Sequence, residues 1–284
     1  QNLDFTTAEV EDKLSIFLRA DVCVILVSLY QLSEPFFKWL QPRIGLEVDP
    51  ATKRLKADSR ATFVFQWCQV IHNLSLCIFS AWIMIKTWPM IAEYRLGHFK
   101  IGGGGESEWP LSALHGTFKD DRTFWDDGFG AYAVIFYASK FYEFIDSWLK
   151  ILNCKEPGFL QVYHHVGVVY CMYFGIVSRA NWIINIVVLN SAVHTVMYFY
   201  YASTSFVKYA KNSPIQMTIT NSQLTQFVIG ITCAAAFYFN PAADSYQLVG
   251  LAMIQVYAAG LIILFRDMAA NKYKLDEAKK NKKT

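Results

Sequence analysis

The sequence predicts an all-α fold: a polytopic membrane protein with seven transmembrane helices, forming one domain over residues 1–284. Three observations carry that expectation. Hydrophobic residues make up 54% of the chain and charged residues only 17%, against about 25% charged in a water-soluble globule. Apolar stretches close to the ~20 residues needed for a bilayer crossing recur along the chain. Charged residues collect in the segments between those stretches.

In chain order, the apolar windows place helices near Arg19 to Leu40, Ala61 to Ile85, Phe129 to Trp148, Phe159 to Val177, Trp182 to Tyr201, Ile219 to Phe239 and Leu248 to Phe265. The first, at 19–40, is the least regular and is expected to be peripheral. It carries Arg19 and Asp21 at one end and Glu34-Pro35 near the other, a pattern that suits a tilted or partly interfacial helix. The remaining six form the core at 61–265, followed by a basic tail at 266–284. The N-terminal stretch Gln1 to Lys13 lacks the basic, apolar and small-residue succession of a cleaved signal peptide.

Between the second and third windows, Lys86 to Gly128 holds seven acids and the run Gly102 to Gly105. It reads as an extramembrane loop with a glycine hinge. The run lacks the strand, glycine spacing and Lys-Ser/Thr of a phosphate-binding loop. The six cysteines, Cys23, Cys68, Cys77, Cys154, Cys171 and Cys233, have no metal-ligand spacing and read as small core hydrophobes without disulfides.

Charge then orients the chain. The side comprising Pro42 to Arg60, Lys150 to Glu156, Phe206 to Met217 and the tail holds 16 Lys/Arg; the other side holds 8. The positive-inside rule puts the C-terminus in the cytosol and, with an odd number of spans, the N-terminus on the far side. The tail from Arg266 carries seven Lys/Arg against three acids. That fits a cytosolic segment beside anionic lipid rather than nucleic-acid binding. Lys280 and Lys282 stand five and three positions from the end. This matches a dilysine retrieval signal and a solvated charge run equally well.

An ionisable side chain in a spanning helix costs about 2.5–3.5 kcal/mol on the insertion scale, so each is a candidate functional residue. Here they fall at helical spacing. Lys140, Glu143, Asp146 and Ser147 share a face of the third span; Gln161, His164 and His165 fall on the fourth; Asn190, His194, Tyr198 and Tyr201 follow one another on the fifth; and Thr220, Gln223 and Gln226 lie on the sixth. At 1.5 Å per residue, His164 lies roughly 10 Å inside the cytosolic start of its helix and His194 roughly 10 Å from the cytosolic end of the next. All four stripes therefore converge in the cytosolic half of the bilayer.

Each stripe also has a structural reading. Lys140 with Glu143 suits an internal ion pair, the amides and Thr220 suit interhelical hydrogen bonds, and His72 beside Asn73 suits a structural role. His98 and His115 fall in the polar loop. Three histidines at one depth call for chemistry, because imidazole serves as nucleophile, general base or metal ligand. A di-iron lipid desaturase or hydroxylase would use a similar spacing, but such centres call on about eight histidines or added carboxylates, and this chain has six. A receptor or transporter would explain the spans but needs no doubled histidine facing a third. Acyl transfer uses all these groups: a histidine takes up the acyl group or a proton, and amides and hydroxyls stabilise the oxyanion.

The segments Lys140-Phe141-Tyr142-Glu143-Phe144-Ile145-Asp146-Ser147, Phe159-Leu160-Gln161-Val162-Tyr163-His164-His165, Asn190-Ser191-Ala192-Val193-His194 through Tyr201, and Thr220-Asn221-Ser222-Gln223-Leu224-Thr225-Gln226-Phe227 resemble, in order, the four signature boxes of the very-long-chain fatty acid elongases, the ELO family. The likeness covers about Ala61 to Lys274. It implies a seven-span endoplasmic reticulum enzyme, a 3-ketoacyl-CoA synthase. Such an enzyme condenses long-chain acyl-CoA with malonyl-CoA, releasing CO2 and CoA. Six helices would surround an acyl-chain tunnel. The histidine box of the family usually begins with His where this chain has Gln161. Gln-x-x-His-His variants occur in polyunsaturated-fatty-acid elongases of algae and other protists, so the departure implies that substrate class.

By resemblance, His164 attacks the thioester to form an acyl-imidazole. His194 and His165 orient or protonate groups at the reacting carbonyl. Asn190, Gln161, Tyr198 and Tyr201 donate hydrogen bonds to the thioester oxygen, while Thr220, Gln223 and Gln226 contact substrate. Lys140, Glu143 and Asp146 organise the site, and Lys140 could attract the malonyl carboxylate. Lys150, Lys155, Lys208, Lys211 and Lys272 would lie near the CoA phosphates. The resemblance further implies no metal and no bound cofactor, the lipid bilayer and the other elongation-cycle enzymes as partners, and room for a homodimer.

Overall fold

The computed structural model describes residues 6–96, 124–206, 214–239 and 243–281, the side chains of 92–96, 236 and 271–281 excepted. Apart from one two-stranded hairpin the described elements are helical. They are α1 (Thr7–Lys13), α2 (Ala20–Leu32), α3 (Glu34–Arg43), α4 (Arg60–Leu96), α5 (Gly130–Tyr142), α6 (Phe144–Leu152), α7 (Phe159–Val177), α8 (Ile183–Ser203), α9 (Pro214–Ala235) and α10 (Ser245–Asn281), with β1 (Val48–Asp49) antiparallel to β2 (Arg54–Leu55).

Among the described residues, five helical segments are long and apolar enough to cross a membrane: Arg60–Ile91, Phe159–Val177, Ile183–Ser203, Pro214–Phe239 and Ser245–Ala270. Helices α2 and α3 together make a sixth, bent by 54°. The bend falls at Ser33, just ahead of Glu34-Pro35, because Pro35 has no N–H to continue the ladder from the preceding turn. The chain is thus an all-α, multi-pass membrane protein. The stretch expected as the third of seven spans is divided: α5 and α6 meet at Glu143, and neither reaches crossing length alone. The division falls among the residues whose charges must find partners.

Two expected boundaries move. Helix α4 runs on to Leu96 past Pro89, so the expected loop from Lys86 starts later. Trp88, Met90 and Ile91 continue the apolar run, and buried Thr87 and Ile91 keep it packed. The proline removes one ladder bond without ending the helix. Likewise α10 continues through the tail to Asn281. The glycine run, His98 and His115 lie outside the described residues. The six cysteines are unpaired, but only Cys23 and Cys171 are buried.

Six elements neighbour one another in a closed order: α4, α8, α9, α10, α7, α5 and back to α4. The 19–40 stretch lies outside this ring, with α2 against α7 and α3 against α6. At one end α1 closes the ring against α5. Its Thr7 hydroxyl donates to the carbonyl of Trp125 at 3.1 Å, and Glu11 accepts from Trp125 Nε1 at 3.0 Å and pairs with Arg179 at 2.8 Å. At the other end Leu46, Phe65 and Leu152 form a small cluster under the hairpin. There the Asp49 carboxylate, bonded by the Thr52 hydroxyl and the Ala51 N–H, is held below the usual carboxylate range.

Helices α6 and α7 stop alike. Cys154 and Arg179 take left-handed φ of 57° and 52°. Lys155 N–H bonds the Lys150 carbonyl at 3.0 Å, and Ala180 N–H bonds the Gly175 carbonyl at 2.8 Å, the 6→1 closure of a Schellman motif. The first of these stops sets Lys150 in the last turn of α6, opposite the start of α7.

Candidate active site

Adjacent positions on a helix point about 100° apart, and this separates the doublet on α7. His164 faces the ring interior and lines an apolar cavity of about 610 Å³, part of it open to the outside. His165 turns the other way, buried against the rings of Tyr30 and Phe144. His194 on α8 faces His164, with ring centroids 6.4 Å apart. The cavity runs from His164, Asn190, Gln226 and Tyr257 at one level to Ile186, Ala234 and Ile254 deeper in the bundle.

Beside the cavity, a closed circuit of hydrogen bonds and charge surrounds His194. Lys140 Nζ can only donate. It donates to Glu143 Oε1 at 2.6 Å and to Asn190 Oδ1 at 3.1 Å, and it sits 4.0 Å over the ring of Phe136. That contact fixes the Asn190 amide, so its Nδ2 donates to His194 Nε2 at 3.1 Å. The other ring nitrogen of His194, Nδ1, then carries the proton and faces Glu143 Oε1 at 3.8 Å. The lone pair of His194 is therefore occupied. Glu143 Oε2 has no hydrogen-bond partner and is buried.

A second layer lies one turn further along α6. Asp146 accepts from Tyr198 at 2.7 Å and bonds His72 Nε2 at 2.8 Å; Tyr142 lies 3.3 Å from His72 Nδ1. Gln161 joins α6 to α7: its Nε2 donates to Ser147 at 2.9 Å and its Oε1 accepts from Lys150 at 2.8 Å. Ser147 in turn bonds Tyr30 of α2 at 2.9 Å.

The structure thus brings together Lys140, Glu143, Asn190, His164 and His194, with Gln226 on the cavity wall. Gln226 is buried and its Oε1 has no hydrogen-bond partner. Other expected residues are engaged elsewhere. The Tyr198 hydroxyl is taken by Asp146, Gln161 forms a bridge and does not line the cavity, and Tyr201 is exposed at the end of α8. Thr220 bonds the Gln216 carbonyl of its own helix at 3.0 Å, and Gln223 bonds Met197 Sδ at 3.3 Å. Lys155 is exposed, while Lys208 and Lys211, and the side chain of Lys272, lie outside the described residues. Among the described residues, no three His, Cys, Asp or Glu side chains are grouped to hold a metal ion.

Residues 18–283 match the family model described as ELO: GNS1/SUR4 family. The chain belongs to the ELO family. Similar relatives include a putative fatty acid elongase of Dictyostelium discoideum, 29% identical over 213 residues, covering 73% of this chain and 65% of that protein. Fatty acid elongase 2 of Trypanosoma brucei brucei is 32% identical over 132 residues, covering 45% of this chain and 49% of that protein. Fatty acid elongase 5 of Trypanosoma cruzi is 27% identical over 271 residues, covering 89% and 93%. The chain spans 65% and 49% of the length of the first two. In this ELO protein the site also uses residues that the sequence stripes did not single out: Tyr257 on α10, His72 on α4 and Tyr30 on α2.

Proposed function

We propose that this protein is the condensing enzyme of fatty acid elongation, a 3-ketoacyl-CoA synthase acting on acyl-CoA and malonyl-CoA. The observation that carries this reading is a histidine, His164, at the wall of an apolar cavity with a buried Lys–Glu–His–Asn circuit beside it. An apolar cavity suits the acyl chain, and a neutral imidazole suits the thioester carbon. His164 Nε2 would attack that carbon, the C–S bond would break, and CoA would leave and take up a proton. Malonyl-CoA would then lose CO2, and its carbanion would displace the imidazole to give a 3-ketoacyl-CoA two carbons longer.

Asn190 and Gln226 amides are placed on the cavity wall, where a donor could meet the developing oxyanion. Lys140 and Glu143 set the orientation of His194, which would orient groups at the reacting carbonyl, and the Lys140 charge would act on the malonyl carboxylate from behind Asn190. Lys150 and Lys155 at the end of α6, with Lys208, Lys211 and Lys272, would lie near the CoA phosphates. Neither metal nor bound cofactor enters this scheme. The protein would reside in the endoplasmic reticulum membrane with its C-terminus cytosolic, beside the other enzymes of the cycle, and would take polyunsaturated chains.

Purified protein incubated with malonyl-CoA and a panel of acyl-CoAs tests this reading. Release of CO2 only when both substrates are present, with a product two carbons longer by mass, supports it. Absence of CO2 release from an enzyme shown to be folded overturns it.

A further inference from the structure

Tyr257 on α10 reaches across to α7. Its hydroxyl oxygen lies 2.9 Å from Nδ1 of His164 and 3.0 Å from the backbone carbonyl oxygen of the same residue. A carbonyl oxygen only accepts, and a phenol has one proton. Both contacts are hydrogen bonds in a single arrangement: the hydroxyl donates to the carbonyl, and His164 Nδ1–H donates to the hydroxyl oxygen. The lone pair of His164 then sits on Nε2.

The ring of Tyr257 is itself held. It stacks on Tyr163, with centroids 5.5 Å apart and planes at 26°, and the Tyr163 hydroxyl donates to the Tyr257 carbonyl at 3.4 Å. Room for the two rings comes from two glycines. A methyl group at Gly167 would run into the ring of Tyr257, and one at Gly260 into the hydroxyl of Tyr163. Each helix thus offers one tyrosine and, three or four residues later, one glycine.

We propose that Tyr257 is the positioning residue of the acyl-transfer step, fixing His164 as the Nδ1–H tautomer with Nε2 as nucleophile at the cavity both residues line. The proposal rests on the reading of His164 as acyl carrier. In the step, the Nε2 lone pair forms the bond to the thioester carbon. The C–S pair leaves on the CoA sulfur, which takes a proton from solvent. The Nδ1 proton stays on the ring, bonded to Tyr257. In the other tautomer Nε2 carries hydrogen and has no lone pair in the ring plane with which to attack.

The test uses the full chain and two variants that each remove one hydroxyl of the stacked pair, Tyr257→Phe and Tyr163→Phe. CoA released from acyl-CoA alone is followed over time, and 15N spectra of histidine-labelled protein give the tautomer, the His164 signals being assigned by their loss in His164→Ala. Tyr257→Phe should lower the rate constant about tenfold, the effect of one hydrogen bond, leave the half-saturating acyl-CoA concentration unchanged, and turn a single His164 tautomer into a mixture. Tyr163→Phe keeps the ring stacked on Tyr257 and loses only the 3.4 Å bond to its backbone carbonyl, so it should change neither. Equal losses in the two variants, an unaltered rate in Tyr257→Phe, or a wild-type His164 protonated at Nε2 would each overturn the proposal. Should Tyr257→Phe not fold, the wild-type spectrum decides. If the wild type releases no CoA, it is the acyl-carrier reading that fails, while the spectrum still reports the tautomer.

Discussion

Lys140 and Glu143, one helical turn apart at the junction of α5 and α6, form a 2.6 Å ion pair with side chains 1% and 3% exposed. Two charges so enclosed cannot be solvated separately, and removing one leaves the other unpaired. Lys140→Met should therefore destabilise the protein by about 3–5 kcal/mol, while the double substitution Lys140→Met with Glu143→Leu should recover much of that loss. Neither variant should elongate, because Asn190 and His194 lose the group that orients them. Detergent-denaturation midpoints measure the stability. A double variant no more stable than the single one would show that the pair is not a unit.

Gly167 and Gly230 are expected to respond in opposite ways to alanine. A Cβ at Gly167 collides with Tyr257, whereas at Gly230 the nearest atom is Leu189 Cδ1, at 4.0 Å. Gly167→Ala should cost about 1–3 kcal/mol from overpacking, and Gly230→Ala should gain up to about 1 kcal/mol of helix propensity. The same denaturation measurement checks both, and two changes of like sign would contradict the packing described.

Because Gly230 opens onto the cavity, Gly230→Phe should fill part of it. The variant should shorten the longest acyl-CoA accepted while leaving shorter ones in use, as product masses would show. Unchanged chain length would mean that the acyl chain lies elsewhere.

Much of this was legible in the sequence. Helical spacing was enough to mark the charged and histidine stripes, although the Lys140–Ser147 stripe falls across the junction of α5 and α6, and the ring of helices brings Lys140, Glu143, Asn190, His164 and His194 together. What spacing does not give is the rotation of each helix, which decides partners. Gln161 therefore read as a donor to substrate, yet it bridges Lys150 and Ser147. Tyr198 likewise turned out to serve Asp146. Tyr257 stood in an apolar run between Val256 and Ala258, with no ionisable side chain to mark it. The signal that could have found it is a glycine three or four residues after a tyrosine on both α7 and α10. The continuation of α4 past Pro89 was hidden because a proline weakens one ladder bond without ending a helix whose apolar face is packed.

The charge asymmetry of 16 to 8 Lys/Arg predicts a cytosolic C-terminus. A tag after Thr284 should be cut by protease added to sealed microsomes. Protection of the tag until the membrane is dissolved would reverse the orientation.

Substrate class is read from Gln161. Rates on polyunsaturated acyl-CoAs should exceed those on saturated chains of equal length in a competition assay. A saturated preference would remove the meaning attached to this residue. Gln161→His should retain elongation.

The central claim, that His164 carries the acyl group, is tested most directly by giving the protein acyl-CoA alone. The account predicts release of about one CoA per enzyme and an acyl adduct on the peptide containing His164, both lost in His164→Ala, with His165→Ala slowed but still able to form the adduct. If no CoA is released until malonyl-CoA is also present, the covalent scheme is wrong and His164 acts as a general base.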